Sequence, residues 1–220
     1  MILHHLQNSR SQRIVWLFEE LNLEYEIAFY TLETSKDKKL KYPTLDIQEN
    51  KHRLTESSAI AEFMCDGQQR LTIEKDNLNY WDFCFYKNYA DASLMPNLAL
   101  KQIFQQIKIQ TPLPVRFIPF ALQKAFNGVY INPELKKQLD QIDGHLSEHT
   151  WIAGKEFSYA DILLWFPLHC AEFAYPYFSE YKNLNRYLKQ IGDRTAFKTA
   201  IERGQWSSEL FKKYWEVTQK

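Results

Sequence analysis

Residues 2–30 read ILHHLQNSRSQRIVWLFEELNLEYEIAFY, and their periodicity decides the architecture of the first third of the chain. Ile2 to Leu6 is an apolar run of strand length. After the polar NSRSQ, the residues Ile14, Leu17, Phe18 and Leu21 fall on one face at helical spacing. EYEIAFY returns to alternation, with Tyr25, Ile27 and Phe29 on one side of a second strand. Strand, loop, helix, strand is a βαβ unit.

The polar TLETSKDKK that follows reads as loop or short helix. TLDI and HRL read as a hairpin across QENK, and LTESSAIAEFM opens a further helix. Beyond Cys65 the pattern is helical throughout. The run Asn77 to Asn97 is too long and too rich in aromatics for a strand, and Pro112 and Pro114 break the next helical region. Asn132 before Pro133 has the form of a cap and first turn. Ser158 to Asp161 forms a capping box, with Phe157 and Ile162 as its hydrophobic staple. The expected boundary lies near DGQQR, residues 66–70, separating 1–68 (βαβ-ββα) from an all-helical 69–220.

Composition narrows the function classes. Lys plus Arg number 27, as do Asp plus Glu, so a net charge of zero offers no field to gather polyanions, and neither nucleic acid nor membrane is expected as a partner. The start MILHHLQNSRSQR lacks a secretory pattern, and the apolar stretch ILLWFPLHCAEFAYPYF is interrupted by Pro, His and Glu, which reads as soluble and cytoplasmic. Cys65, Cys84 and Cys170 are odd in number and far apart, as in a reducing compartment.

Several segments in order resemble the soluble glutathione S-transferases of bacterial and fungal type. LHHLQNSRSQRIVWLFEELNLEYE resembles the family's first strand and helix, KYPTL the strand that begins at a cis-proline, and LTESSAI the helix start that holds a γ-glutamyl group. YADASLMPNLAL, FSYADILL and DRTAFKTAIERG resemble segments of its second half. The resemblance implies a thioredoxin-like α/β domain that binds glutathione (1–68), an all-α domain that contributes the pocket for an electrophile (69–220), a twofold homodimer, and glutathione as co-substrate without a metal.

It also assigns residues. Ser9, four residues before Arg13 as in theta-like members, is the expected activator of the glutathione thiol, with Ser11 and Asn8 as alternates. A free thiol ionises near pKa 8.5, and lowering that by roughly two units needs about 2.7 kcal/mol, within reach of a charge-assisted hydrogen bond plus a helix dipole. The plainer reading of Ser9 to Gln12 is a capping box. Pro43 is the expected cis-proline, turning the backbone of Tyr42 toward the ligand's cysteinyl part, with Lys41 near its glycine carboxylate. Glu56 and Ser57 are assigned to the two charges of the γ-glutamyl group, or else serve only as first-turn charge and cap.

Phe85, Tyr86, Tyr89 and Met95, with Leu94 nearby, are candidates for the electrophile pocket, although aromatics at helical spacing more often fill a core. His4 and His5 most simply alternate faces of a strand. His145 and His149 stand four apart on a helix, a possible metal pair with no third ligand evident in the sequence. The chain also departs from the family. Only 12 residues separate Tyr30 from Pro43, the Asn-Pro-Gly type sequence expected there is missing, and QENK lacks the usual Gly. The expected enzyme attacks an apolar electrophile or reduces a peroxide. The alternatives are a transferase-like binding or scaffold protein that the shortened segment has cost its catalysis, and a helical adaptor with an incidental N-terminal domain.

Overall fold

The computed structural model describes residues 1–36, 40–47 and 52–215 of the chain; the QENK turn, Lys38 and Lys39 lie outside them. Strand β1 (Ile2–Leu6), helix α1 (Gln12–Leu21) and strand β2 (Glu26–Tyr30) form the βαβ unit, with Leu3 opposite Ile27 in a parallel pair. β3 (Thr44–Ile47) runs antiparallel to β1, and β4 (His52–Thr55) antiparallel to β3, in the order β2-β1-β3-β4. Helix α2 (Ser57–Gln68) follows at once.

The apolar stripe of α1 goes against the sheet, but Gln12, Arg13, Val15 and Trp16 on its other sides are buried as well. A helix buried all round lies between two layers. The second layer is helical: α3 (Tyr80–Tyr89), α4 (Met95–Gln110), α5 (Phe117–Phe126), α6 (Asn132–Glu148), α7 (Tyr159–Ala174), α8 (Lys182–Asp193), α9 (Thr195–Arg203) and α10 (Ser208–Trp215). α1 packs against α7 and α9 across the boundary.

The prolines explain the irregular turns. Inside a helix a proline ring collides with the carbonyl four residues back and leaves it without a donor. Pro96 and Pro133 each follow a wider π-helical turn, Ala90–Leu94 and Asn127–Ile131, which gives the ring room. Asn132 therefore does not cap a new helix. The backbone runs from α5 through the π turn into α6, and the Asn132 Oδ1 accepts instead from the buried Lys101 Nζ at 2.6 Å. In α7, Pro167 leaves the Leu163 carbonyl free, and the buried Arg13 of α1 donates Nη1 to it at 2.9 Å. Arg13 also pairs with Asp91 in the first π turn, 3.1 Å away.

The expected capping box at the start of α7 is present. The Asp161 carboxylate is buried and accepts from the N–H groups of Ser158 and Ile152, both at 2.8 Å, and from the Tyr187 hydroxyl at 2.7 Å. These donors favour the ionised form, but burial outweighs them and raises the carboxyl to about 6 from 3.8. The folded state thus holds this proton more tightly than the unfolded chain. The group's contribution to stability is present below about pH 4, falls as pH rises through about 6, and is constant above, a change of up to about 3 kcal/mol. Denaturant titrations across this range should show the decline, and Asp161→Asn should remove it while lowering stability at neutral pH by about 2–4 kcal/mol, because its amide faces N–H donors.

Candidate active site

The β1–α1 connection, residues 7–11, carries the three candidate thiol contacts, and the structure separates them. α1 begins at Gln12, later than a cap at Ser9 requires, with Ser11 in the cap position. The Ser9 carbonyl accepts from the Gln12 N–H at 3.0 Å, while the Gln12 side chain turns away to donate Nε2 to the Ala200 carbonyl at 2.6 Å. The reciprocal Ser9–Gln12 box is not formed. Ser11 is fully buried, and Asn8, in the left-handed region at φ 55°, accepts from the Ser207 N–H at 2.9 Å. Ser9 is half-buried, so its hydroxyl alone of the three candidates is both reachable and uncommitted to the helical layer.

A chain of hydrogen bonds runs inward from Ser9. Its Oγ lies 2.8 Å from Ser11 Oγ, which lies 2.8 Å from His5 Nδ1, and His5 Nε2 lies 2.9 Å from the Gly204 carbonyl. A carbonyl only accepts, so Nε2 carries the hydrogen. Burial lowers the His5 pKa to about 4, so the ring is neutral and Nδ1 is a lone pair that takes the Ser11 hydroxyl hydrogen. Ser11 Oγ then accepts from the Leu6 N–H at 3.1 Å and from the Ser9 hydroxyl. The Ser9 hydrogen points inward until a stronger acceptor, such as a thiolate, competes for it.

Strand alternation put His5 on one face of β1 but gave no reason for a role, since its deciding partner is 199 residues away in sequence. That partner belongs to a larger clamp. Gln7 Nε2 donates to the Gln205 carbonyl at 2.7 Å, and with His5, Asn8 and Gln12 it binds the β1–α1 loop to residues 200–207. Gly204 fits because it has no Cβ; one there would collide with the Gln12 amide, whose Oε1 is buried without a partner.

The Tyr42–Pro43 peptide bond is cis, and the Tyr42 ring packs 5.1 Å from Tyr30 just before β3. Glu56 occupies the N-cap of α2 at φ 69°, ψ 126°, without a side-chain cap bond. A non-glycine residue held in the left-handed region costs about 1–3 kcal/mol and tends to mark a functional site. Ser57 is therefore the first helical residue rather than the cap, and it is buried where the first N–H groups of α2 have no intrahelical acceptor. Lys41 Nζ stands 4.0 Å from Glu56 Oε1 in a loose, exposed pair. The structure brings together two groups expected at opposite ends of the ligand.

The aromatic candidates divide. Tyr86 and Tyr89 are buried, with Tyr86 packed 4.7 Å from His145, so both belong to the core rather than to an open wall. Phe85, 44% exposed, and the half-buried Met95 remain. Asp82 comes up beside His145 and His149 as a third group able to hold a metal. The two imidazoles, however, are stacked 4.2 Å apart at 10°, each with a nitrogen on a backbone carbonyl, and one ion cannot lie in the planes of two parallel rings.

A mixed four-stranded sheet with a cis-proline just before its inner strand β3, a reachable hydroxyl before α1 and a helical layer behind define a thioredoxin-like α/β domain joined to an all-helical one. The glutathione S-transferase N-terminal domain model matches residues 1–65, and the C-terminal domain model matches residues 130–194. The chain is 30% identical to glutathione S-transferase 3 of Schizosaccharomyces pombe, over 92% of this chain and 87% of that protein. It is 29% identical to glutathione S-transferase 1 of Saccharomyces cerevisiae, over 92% and 94%. Among solved structures, a glutathione S-transferase from Actinobacillus pleuropneumoniae superposes with a TM-score of 0.74 at 26% identity, over 96% of this chain and 98% of that one. The chain belongs to the glutathione S-transferase family.

The clamp is testable by a double-mutant cycle. Gly204→Ala should cost about 1–3 kcal/mol in chemical denaturation by displacing Gln12. The same change in a Gln12→Ala background should cost less than about 1 kcal/mol, because the colliding amide is gone.

Proposed function

We propose that this protein is a glutathione transferase of the serine type that binds reduced glutathione, holds its sulfur as the thiolate with Ser9, and transfers it to an apolar electrophile or uses it to reduce a peroxide. The observation that carries this reading is the reachable Ser9 hydroxyl, set just before the amino end of α1 and fixed by Ser11 and His5. When the thiol loses its proton to solvent, the Ser9 hydrogen turns from Ser11 Oγ to the sulfur. The Ser11 N–H, 3.2 Å from Ser9 Oγ, holds the oxygen in place through that rotation. The helix field adds to the stabilisation of the anion. The thiolate then attacks an electrophilic carbon, whose leaving group departs with the bonding pair.

The remaining assignments follow the same reading. The Tyr42 main chain pairs with the cysteinyl part beside Pro43. Glu56 accepts from the γ-glutamyl ammonium, and Ser57 with the first N–H groups of α2 takes its carboxylate. Lys41 serves the glycine carboxylate. Residues 1–68 supply the peptide site and 69–220 the electrophile pocket, with Phe85 and Met95 as wall residues, and two subunits pair about a twofold axis.

Ser9→Ala should raise the pKa of bound glutathione's thiol by about one to two units, followed by thiolate absorbance against pH. Conjugation of an aryl halide at neutral pH should fall about 10- to 100-fold, with the KM for glutathione changed less than about threefold. Unchanged conjugation would remove Ser9 from the mechanism, and the lack of any calorimetric binding at millimolar glutathione would leave the scaffold reading in its place.

A further inference from the structure

The helical domain holds a cavity of about 390 Å³ between the second half of α7, α8, α9 and the start of α10, within the size range of small-molecule sites. No residue of the sheet domain borders it. Its floor is Trp165, 3% exposed, and the half-buried Phe197 and Trp206 stand against that ring at centroid distances of 5.1 and 5.4 Å. His169, one turn further along α7, is stacked between Trp165 and Phe211 at interplanar angles of 14° and 10°. Three large rings around one recess offer a flat apolar body far more contact than aliphatic walls would.

The charges at its border indicate what else the occupant carries. The Glu172 carboxylate accepts from His169 Nδ1 at 2.9 Å through Oε2, which leaves Oε1 for a further donor. Lys189 of α8 forms no ion pair and no hydrogen bond among the described residues, so it does not pair with Glu172 although both line the same cavity. The Ser208 hydroxyl at the start of α10 adds a neutral polar group. Two opposite charges that border one recess without neutralising each other are answered by a ligand that carries both. A purely anionic aromatic would face Glu172 uncompensated, and a purely cationic one would face Lys189 in the same way.

We propose that this cavity is a second binding site, for an aromatic α-amino acid or a small molecule of the same zwitterionic kind. The ring lies against Trp165, Phe197 and Trp206, the ammonium meets Glu172 and the carboxylate meets Lys189. This does not depend on the assignment of Ser9. The segment from Ala200 to Trp206 stands between the two sites: Ile201 and Trp206 border the cavity, whereas the carbonyls of Ala200, Gly204 and Gln205 hold the β1–α1 loop.

Calorimetric titration of the full-length protein with L-tryptophan should give a Kd below about 1 mM. Tryptamine, which lacks the carboxylate, and indole-3-propionate, which lacks the ammonium, should each bind at least about tenfold more weakly. Lys189→Ala should weaken tryptophan at least about fivefold without weakening tryptamine, and Glu172→Gln should do the same without weakening indole-3-propionate. Both positions are exposed, so circular dichroism and basal conjugation should stay those of the wild type. Saturating glutathione should alter the tryptophan affinity by less than about fivefold, through the segment the two sites share. The proposal is overturned if tryptophan at about 5 mM gives no binding, or if both variants bind it as the wild type does. It is overturned equally if either analogue binds as tightly, or if glutathione displaces tryptophan completely, which would place the ligand in the catalytic cleft.

Discussion

The Arg13 guanidinium is the joint on which the arrangement of the two layers depends. It is 1% exposed, and a charge so buried is tolerable only with good partners. It finds the Leu163 carbonyl that Pro167 leaves free, Asp91 in the π turn that precedes Pro96, and the Phe166 ring 5.8 Å away. Two prolines that look like helix breakers thus set up its partners: one orphans an acceptor, and the other accompanies the wider turn that presents the carboxylate. With α1 held to α7 at Arg13, the next residue toward the amino end, Gln12, reaches α9, and the loop before it reaches residues 204–207.

It follows that the loop bearing Ser9 is oriented by the helical domain as well as by the sheet from which it emerges. Its own domain supplies Leu6, Ser11, His5, the Gln12 N–H and the Tyr30 carbonyl, and the helical domain adds the carbonyls of Ala200, Gly204 and Gln205 and the N–H of Ser207. Even the direction of the Ser9 hydroxyl traces back to Gly204, because that carbonyl selects the His5 tautomer. Small movements between the domains therefore act on the hydroxyl directly. A second domain that only roofed the pocket would not have this effect.

What was legible in the sequence is what local chemistry writes. The βαβ pattern, the hairpin strands and the Ser158–Asp161 box depend on residues a few positions apart, and the structure has them all. Ser9 and Gln12 also had the spacing of a box, yet Gln12 went to α9, 188 residues away, and Ser9 went to its neighbour Ser11, at the outer end of the chain that runs through His5 to Gly204. Asn132 before Pro133 had the form of a cap, but the π turn let the helix continue and Lys101 claimed the amide. For Gln12 and Asn132 a local rule lost to a partner far away in sequence. Helix α4 shows a related effect: it buries Asn97, Lys101 and Gln105 beside Leu98, and helical spacing alone does not say which polar residues will face the core.

The proposed peptide site has two unlike ends. At the end assigned to the γ-glutamyl group, Glu56 is held at φ 69° against its own preference, beside the buried Ser57 and the amino end of α2. At the other end Lys41, 79% exposed, leans on Glu56 at 4.0 Å. An exposed pair of this kind is worth little, about 0–1 kcal/mol, so it yields readily to a better partner. On the proposed assignment the ligand's ammonium is that partner for Glu56, and its arrival frees Lys41 to swing toward the glycine carboxylate. A shortened segment before Pro43 can retain a cation for the glycine end in this way, without the longer scaffold that usually presents one.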